Sequence, residues 1–151
     1  AQKVVRFPTA YELRSMTWQA VAEGANGIFY YSFFDLKAGL HGVPFEEAWR
    51  RVRTAAEEVR AHEEILLSDP VTCDWVEVPN GWSVRAWVCC GKKFVLVVNP
   101  SDCAGTVRIS SRRPGTDSGI RTLLGPQPAR FPDGILQIAV PPFGLTQFGE
   151  R

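Results

Sequence analysis

The sequence predicts an α/β segment of helix–strand–helix order followed by an all-β antiparallel sandwich. Two observations predict it. Residues 28–34 form a nearly unbroken apolar and aromatic run between two stretches of helical periodicity. Beyond Pro70, short apolar stretches alternate with turn residues up to the C-terminus. Composition agrees with a folded chain: of 151 residues, 45% are hydrophobic and 22% charged, with a formal net charge of +1. That excludes a disordered tail and argues against a strongly electrostatic nucleic-acid or membrane-surface binder. No apolar run reaches the roughly 20 residues that span a bilayer. Val4-Val5 is too short for the apolar core of a signal peptide. The chain opens Ala1-Gln2-Lys3 and its only Met is Met16, so it is expected to have lost an initiator, been processed, or been cut from something larger.

The first helix is expected over Thr9–Glu23. Thr9 and Glu12 have capping-box spacing, and Leu13, Met16, Ala20 and Val21 recur at helical intervals. Gly24 supplies a C-terminal cap, because glycine takes the left-handed conformation without a Cβ penalty. Ile28-Phe29-Tyr30-Tyr31-Ser32-Phe33-Phe34 lacks alternation, which predicts a strand buried on both faces, as in a parallel sheet covered by helices. Lys37–Pro44 is a loop. A second helix is expected over Phe45–Leu67, with Phe45, Ala48, Trp49, Val52, Ala56, Val59 and Leu66 on one stripe and Pro70 beyond its end.

Seven short strands are expected next: Val71–Val78, Trp82–Cys90, Lys93–Asn99, Thr106–Ser110, Ile120–Leu124, Ile135–Val140 and Leu145–Phe148. Asn80-Gly81 is a strong hairpin signal and Cys90-Gly91-Lys92 a weaker one. The pattern divides the chain near Ser68, into residues 1–68 and 69–151. Residues 1–68 do not make a complete layer structure. A parallel strand needs neighbours, and apart from Val4–Phe7 nothing in this part reads as one. The simpler reading is the last piece of a larger α/β domain.

Several runs carry a family resemblance. Arg6-Phe7-Pro8-Thr9, Glu12-Leu13-Arg14, Trp18-Gln19-Ala20, Gly24-Ala25-Asn26-Gly27-Ile28 and Tyr30-Tyr31-Ser32 are followed by Asp35. This order resembles the end of the catalytic (β/α)8 barrel in TIM-barrel glycoside hydrolases of the β-galactosidase and related superfamily. The resemblance makes residues 1–68 the seventh helix, eighth strand and eighth helix of such a barrel. Phe94-Val95-Leu96-Val97-Val98-Asn99-Pro100 and Pro141-Pro142-Phe143-Gly144 resemble parts of the C-terminal β-sandwich these enzymes often carry. It implies a hydrolase acting on glycosidic bonds of carbohydrates, extracellular or secreted. The two catalytic carboxylates of that chemistry would lie at the ends of the fourth and seventh barrel strands, before Ala1, so no catalytic residue is assigned in this chain.

The resemblance leaves the mouth of the eighth strand, where barrel active sites lie. Tyr31, Ser32 and Asp35 are the expected sugar-contacting residues. Tyr31-Ser32-Phe33-Phe34-Asp35 resembles the family's aromatic-Ser-x-x-Asp run, whose first aromatic stacks on the sugar, although many members have Trp there. The alternatives are that Tyr31 is packed in the barrel and that Asp35 caps the following loop. Strand parity puts Phe29, Tyr31 and Phe33 on one face and Tyr30, Ser32 and Phe34 on the other. His41 reads as a solvated loop residue and His62 as a boundary residue.

Glu57-Glu58 and Glu63-Glu64, among Arg50, Arg51, Arg53 and Arg60, read as a solvated, salt-bridged helix face. Trp75, Trp82 and Trp87 suggest a sugar-stacking platform, but Trp87 has the opposite parity to Trp82, and core packing is the default. Arg112-Arg113 lacks flanking aromatics and does not suggest nucleic acid. Cys73, Cys89, Cys90 and Cys103 permit disulfides, a Cys73–Cys103 bridge among them, or buried free thiols. Strand parity separates Cys89 from Cys90. No C-x-x-C spacing is present, so neither a metal site nor a cofactor is expected.

Two functions remain. The chain is the C-terminal portion of a glycoside hydrolase, or it is a non-catalytic structural, assembly or carbohydrate-binding protein built from a hydrolase-like segment. The expected partners are a missing N-terminal barrel portion or partner chain, a carbohydrate ligand, and further copies of the chain through the unpaired strand.

Overall fold

The computed structural model describes residues 6–39, 42–110, 120–127, 129–130 and 135–150. The expectations concerning Val4, Val5, His41, Arg112 and Arg113 lie outside the described residues. The first helix, α1 (Ala10–Ala22), has the ends its sequence dictates. Thr9 Oγ1 accepts from the Glu12 amide at 3.3 Å, and Glu12 Oε2 accepts from the Thr9 amide at 2.8 Å. At the other end the Gly24 amide donates to Val21 at 3.0 Å and the Ala25 amide to Ala20 at 2.9 Å. This is a Schellman closure, and it needs the positive φ of +100° that Gly24 adopts.

The expected strand over 28–34 is not formed. Residues 28–32 enter no ladder, and the chain passes directly into a short helix, α2 (Phe33–Lys37). A strand requires a neighbour for its amides and carbonyls, and the described residues place none beside this segment. The hydroxyl of Ser32 instead accepts from the Asp35 amide at 3.3 Å and starts the helix. The expected burial on both faces is absent as well: Phe29 is 94% exposed and Tyr31 91%.

The second long helix is also divided. α3 (Phe45–Arg60) ends at Ala61, and α4 (Glu63–Leu66) restarts after His62. His62 Nδ1 lies 2.9 Å from the Glu58 carbonyl, and its ring meets Trp18 edge-on at 5.7 Å. The break lets Ile65 and Leu66 pack against the same cluster as Trp18 and Trp87. A straight helix would carry them along α3 instead.

Nine strands follow among the described residues, all pairing antiparallel. They are β1 (Asp69–Val71), β2 (Val76–Glu77), β3 (Ser83–Cys89), β4 (Lys92–Val98), β5 (Gly105–Ile109), β6 (Ile120–Leu124), β7 (Ala129–Arg130), β8 (Leu136–Val140) and β9 (Leu145–Glu150). One sheet has the order β1-β3-β4-β9-β6 and the other β2-β5-β8-β7. The parallel pairing that marks a barrel unit is not seen among them. The single strand expected over 71–78 is two, because its halves join different sheets.

The two hairpin signals change places in importance. Asn80-Gly81 forms a turn, with the Trp82 amide donating to Pro79 at 3.3 Å, but it carries the chain from one sheet to the other. The true hairpin is Cys90-Gly91, which joins β3 to β4 with Cys89 opposite Lys92. Both turn residues have positive φ, 52° and 73°, which matches the right-handed twist of the flanking strands.

Val95, Val97 and Ala86 face the second sheet and pack with Val107, Ile109, Ile138, Val140 and Phe148. Leu96, Val98, Trp87 and Leu145 face the other way, against Trp18, Val21 and Ala22 of α1. The larger sheet is therefore covered twice, by a sheet on one face and by helices on the other. This explains why Phe94–Val98 is apolar without alternation. At the end of β4, buried Asn99 donates to the carbonyls of Cys103 and Pro141 at 2.8 and 2.9 Å and accepts from the Ser101 amide and hydroxyl. It fastens the β4 exit to the turn before β9.

Candidate functional site

Residues 28–32 are held from one side only. Ile28 packs against the cluster of Trp18 and Trp87, and Tyr30 against the cluster of Leu13, Val52 and Ala55. The Tyr30 hydroxyl lies 2.7 Å from Thr17 Oγ1, whose own proton goes to the Leu13 carbonyl at 2.8 Å. Phe29 and Tyr31 occupy the opposite face and point away from the helices. The segment keeps strand-like alternation without a ladder.

Tyr31, Ser32 and Asp35 are brought together where this segment turns into α2. Ser32 is half-buried, and its hydroxyl serves as the helix cap. Asp35 is half-buried in the first turn of α2, and its backbone amide is the group capped. Tyr31 leaves its ring free for contact. Beyond it, Phe33 does not follow strand parity, because it already belongs to α2. Its ring packs edge-on against Phe34, Phe45 and Trp49, at centroid distances of 5.9, 5.5 and 5.8 Å. Sequence reasoning did not single out this aromatic cluster. The helical spacing of Phe45 and Trp49 was its available signal.

A cavity of about 320 Å³ opens behind the segment, on the helix side. Ile28 and Tyr30 form one wall, and Arg60, Glu63 and Arg85 add charge at its margin. The Arg85 guanidinium stands 5.7 Å from the Trp87 ring centroid.

The other candidates fall mostly into structural roles. Trp75 and Trp82 pack at the core between the sheets, while Trp87 is buried under the helices, so the three form no platform. Glu58 departs from the expected solvated face. Its carboxylate accepts from Arg14 Nε at 2.8 and 2.9 Å and from the buried Trp18 indole N–H, tying α3 to α1. Glu57 keeps the expected exposed pairing, with Arg53 at 3.5 Å.

All four cysteines are free thiols, so the Cys73–Cys103 bridge is not formed. Burial pushes the Cys73 thiol up. Cys103 donates to Asp102 at 3.4 Å, which holds its proton on more tightly. Cys89 and Cys90 form no bridge with each other, as expected, but not because strand parity separates them: Cys90 lies in the hairpin turn rather than on the strand. The two sulfurs stand 4.0 Å apart, and Glu64 of α4 closes over them.

The chain matches no protein-family model, no curated protein and no solved structure. Among the described residues, no helix is long and apolar enough to cross a membrane.

Proposed function

We propose that this chain is the C-terminal portion of a TIM-barrel glycoside hydrolase acting on glycosidic bonds of carbohydrates. In this reading residues 28–32 stand where the eighth barrel strand lies, and with the first turn of α2 they supply one rim of the sugar site. The sheets form the accessory sandwich, with α1 packed on their outer face. Tyr31 stacks on the sugar, while Ser32 and Asp35 fix the turn that presents it. The catalytic carboxylates come from an N-terminal barrel portion, whether continuous with this chain or a separate partner.

One observation carries the reading. Phe29 and Tyr31 stand almost fully exposed on a segment whose other face is firmly packed and whose backbone has no ladder partner among the described residues. An eighth strand separated from its neighbours has this appearance: helix-facing side chains remain covered and barrel-facing ones are bare. The alternative of a carbohydrate-binding module loses its main support, since Trp75 and Trp82 are committed to the core.

The test is reconstitution. Alone, the chain is expected to turn over no aryl glycoside. Supplied with the N-terminal barrel portion, it is expected to hydrolyse one, and Tyr31→Ala is expected to lower turnover at least about tenfold, the size of effect a lost positioning contact produces. Turnover by the isolated chain would overturn the assignment of the carboxylates elsewhere. Assembly without sugar binding or hydrolysis would favour a structural role.

A further inference from the structure

We propose that Glu64, Cys89 and Cys90 form a binding site for a borderline-soft divalent d10 cation of the zinc class. The inference is independent of the barrel reading. It stands on three ligand atoms from two elements, the carboxylate of α4 and the two thiols at the β3–β4 hairpin, all within 4.8 Å of one another. The sulfurs are 4.0 Å apart, and Cys90 Sγ is 3.8 Å from Glu64 Oε1. A point equidistant from atoms so spaced lies about 2.2–2.5 Å from each, close to the roughly 2.3 Å of a zinc–thiolate bond and the roughly 2.0–2.2 Å of a zinc–carboxylate bond.

The backbone builds this arrangement. Adjacent residues on a strand direct their side chains to opposite faces, but the φ of +52° at Cys90 swings its thiol back beside that of Cys89. The break between α3 and α4 brings Glu64 to the same place: Cys89 Sγ also lies 3.8 Å from the Glu64 carbonyl oxygen. Cys89 is buried and Cys90 exposed, so the cluster has a fixed floor and an open entrance. Two thiols and a carboxylate suit zinc or cadmium better than magnesium or calcium, which prefer oxygen ligands. Without a cation the same crowding is unfavourable for charge. Burial, then Cys90 and Glu64, push the Cys89 thiol up. Binding replaces the two thiol protons by the metal and releases them to solvent; no electrons move.

Three protein ligands leave a fourth position open to water or an incoming group. The cation would also tie α4 to the β3–β4 hairpin, a cross-link between the helices and the larger sheet.

The experiment uses the reduced, metal-free 151-residue chain titrated with cadmium and, separately, zinc. The expected result is one equivalent bound, an ultraviolet thiolate-to-cadmium charge-transfer band, and a raised melting temperature. Cys90→Ser, at an exposed position, is expected to abolish most of the band, while Glu64→Gln keeps the band and weakens binding by roughly tenfold or more. Replacing Cys73 and Cys103 together with Ser is expected to leave both unchanged. A band undiminished by Cys90→Ser, or one that disappears with Cys73 and Cys103, would overturn the site. So would binding that fails to saturate at one equivalent.

Discussion

Two apolar runs of this chain have almost the same sequence character and opposite fates. Phe94–Val98 lies between β3 and β9, with a second sheet on one face and α1 on the other, and Val95 to Val98 are fully buried. Residues 28–32 enter no ladder, and only their Ile28 and Tyr30 face is packed, while Phe33 already turns into α2. An unbroken apolar run therefore records a requirement for cover on both faces. It does not identify the element that supplies the cover. For β4 that element lies in this chain; for 28–34, half of it does not lie among the described residues.

The largest expected effect tests this contrast directly. Leu96→Ala removes a fully buried side chain between α1 and the sheet and is expected to cost about 3–4 kcal/mol. Phe29→Ala removes a larger side chain from the bare face and is expected to change stability by no more than about 0.5 kcal/mol. Urea denaturation of both variants measures the difference. A Phe29→Ala cost approaching that of Leu96→Ala would mean that the exposed face is covered in solution, by another copy or another segment. The same substitution should also reduce any self-association through that face, which sedimentation would read.

The two regions also differ in how far their sequence could be read. Local signals transferred well. Thr9, Glu12 and Gly24 determine the ends of α1 through contacts within a few residues, so spacing alone placed them. Non-local arrangements transferred poorly. Asn80-Gly81 is a better turn sequence than Cys90-Gly91, yet the hairpin is at the second, because strand assignment depends on which sheet covers each face. The Ser32-x-x-Asp35 spacing reads equally as a sugar-site motif and as a helix start; the backbone uses it as a helix start. Cys89 and Cys90 come together with Glu64 only because one residue leaves the strand and one helix breaks, neither of which has a periodic signature.

The next effect concerns the clasp between α1 and α3, which keeps the covered face of 28–32 in place. Glu58 holds Arg14 and the buried indole N–H of Trp18. Glu58→Ala leaves that N–H without an acceptor and is expected to cost about 2 kcal/mol. Glu57→Ala, on the exposed side of the same helix, should cost no more than about 0.5 kcal/mol. Equal effects would mean that Glu58 contributes only to helix solvation.

A smaller change of opposite sign is expected beneath the helices. Gln147 of β9 is fully buried opposite Leu96, and its side-chain amide oxygen and nitrogen find no partner among the described residues. Gln147→Met nearly conserves shape and removes two unsatisfied polar atoms, so it should stabilise the fold by about 1 kcal/mol. A loss of stability in thermal melts would indicate that the amide is satisfied in solution, by water for example.

The smallest effect lies at the start of α1, and it appears only as a pH dependence. The Arg6 guanidinium, together with the amide and hydroxyl of Thr9, holds the Glu12 carboxyl down at about 2. An unfolded glutamate titrates near 4.3, so the folded state binds the proton less readily than the unfolded state. The associated stability is present in full above that unfolded value. It declines as the pH falls toward 2, where the folded carboxyl also takes up a proton. Because the group is on the surface, salt should weaken the effect. The measurement compares the wild type with Glu12→Gln from pH 7 to pH 2. The gap between their melting temperatures should be constant near neutrality, narrow below about pH 4.3, and shrink further in high salt. A gap unchanged at pH 2 would leave the charge of Glu12, and with it the ion pair with Arg6, without effect on α1.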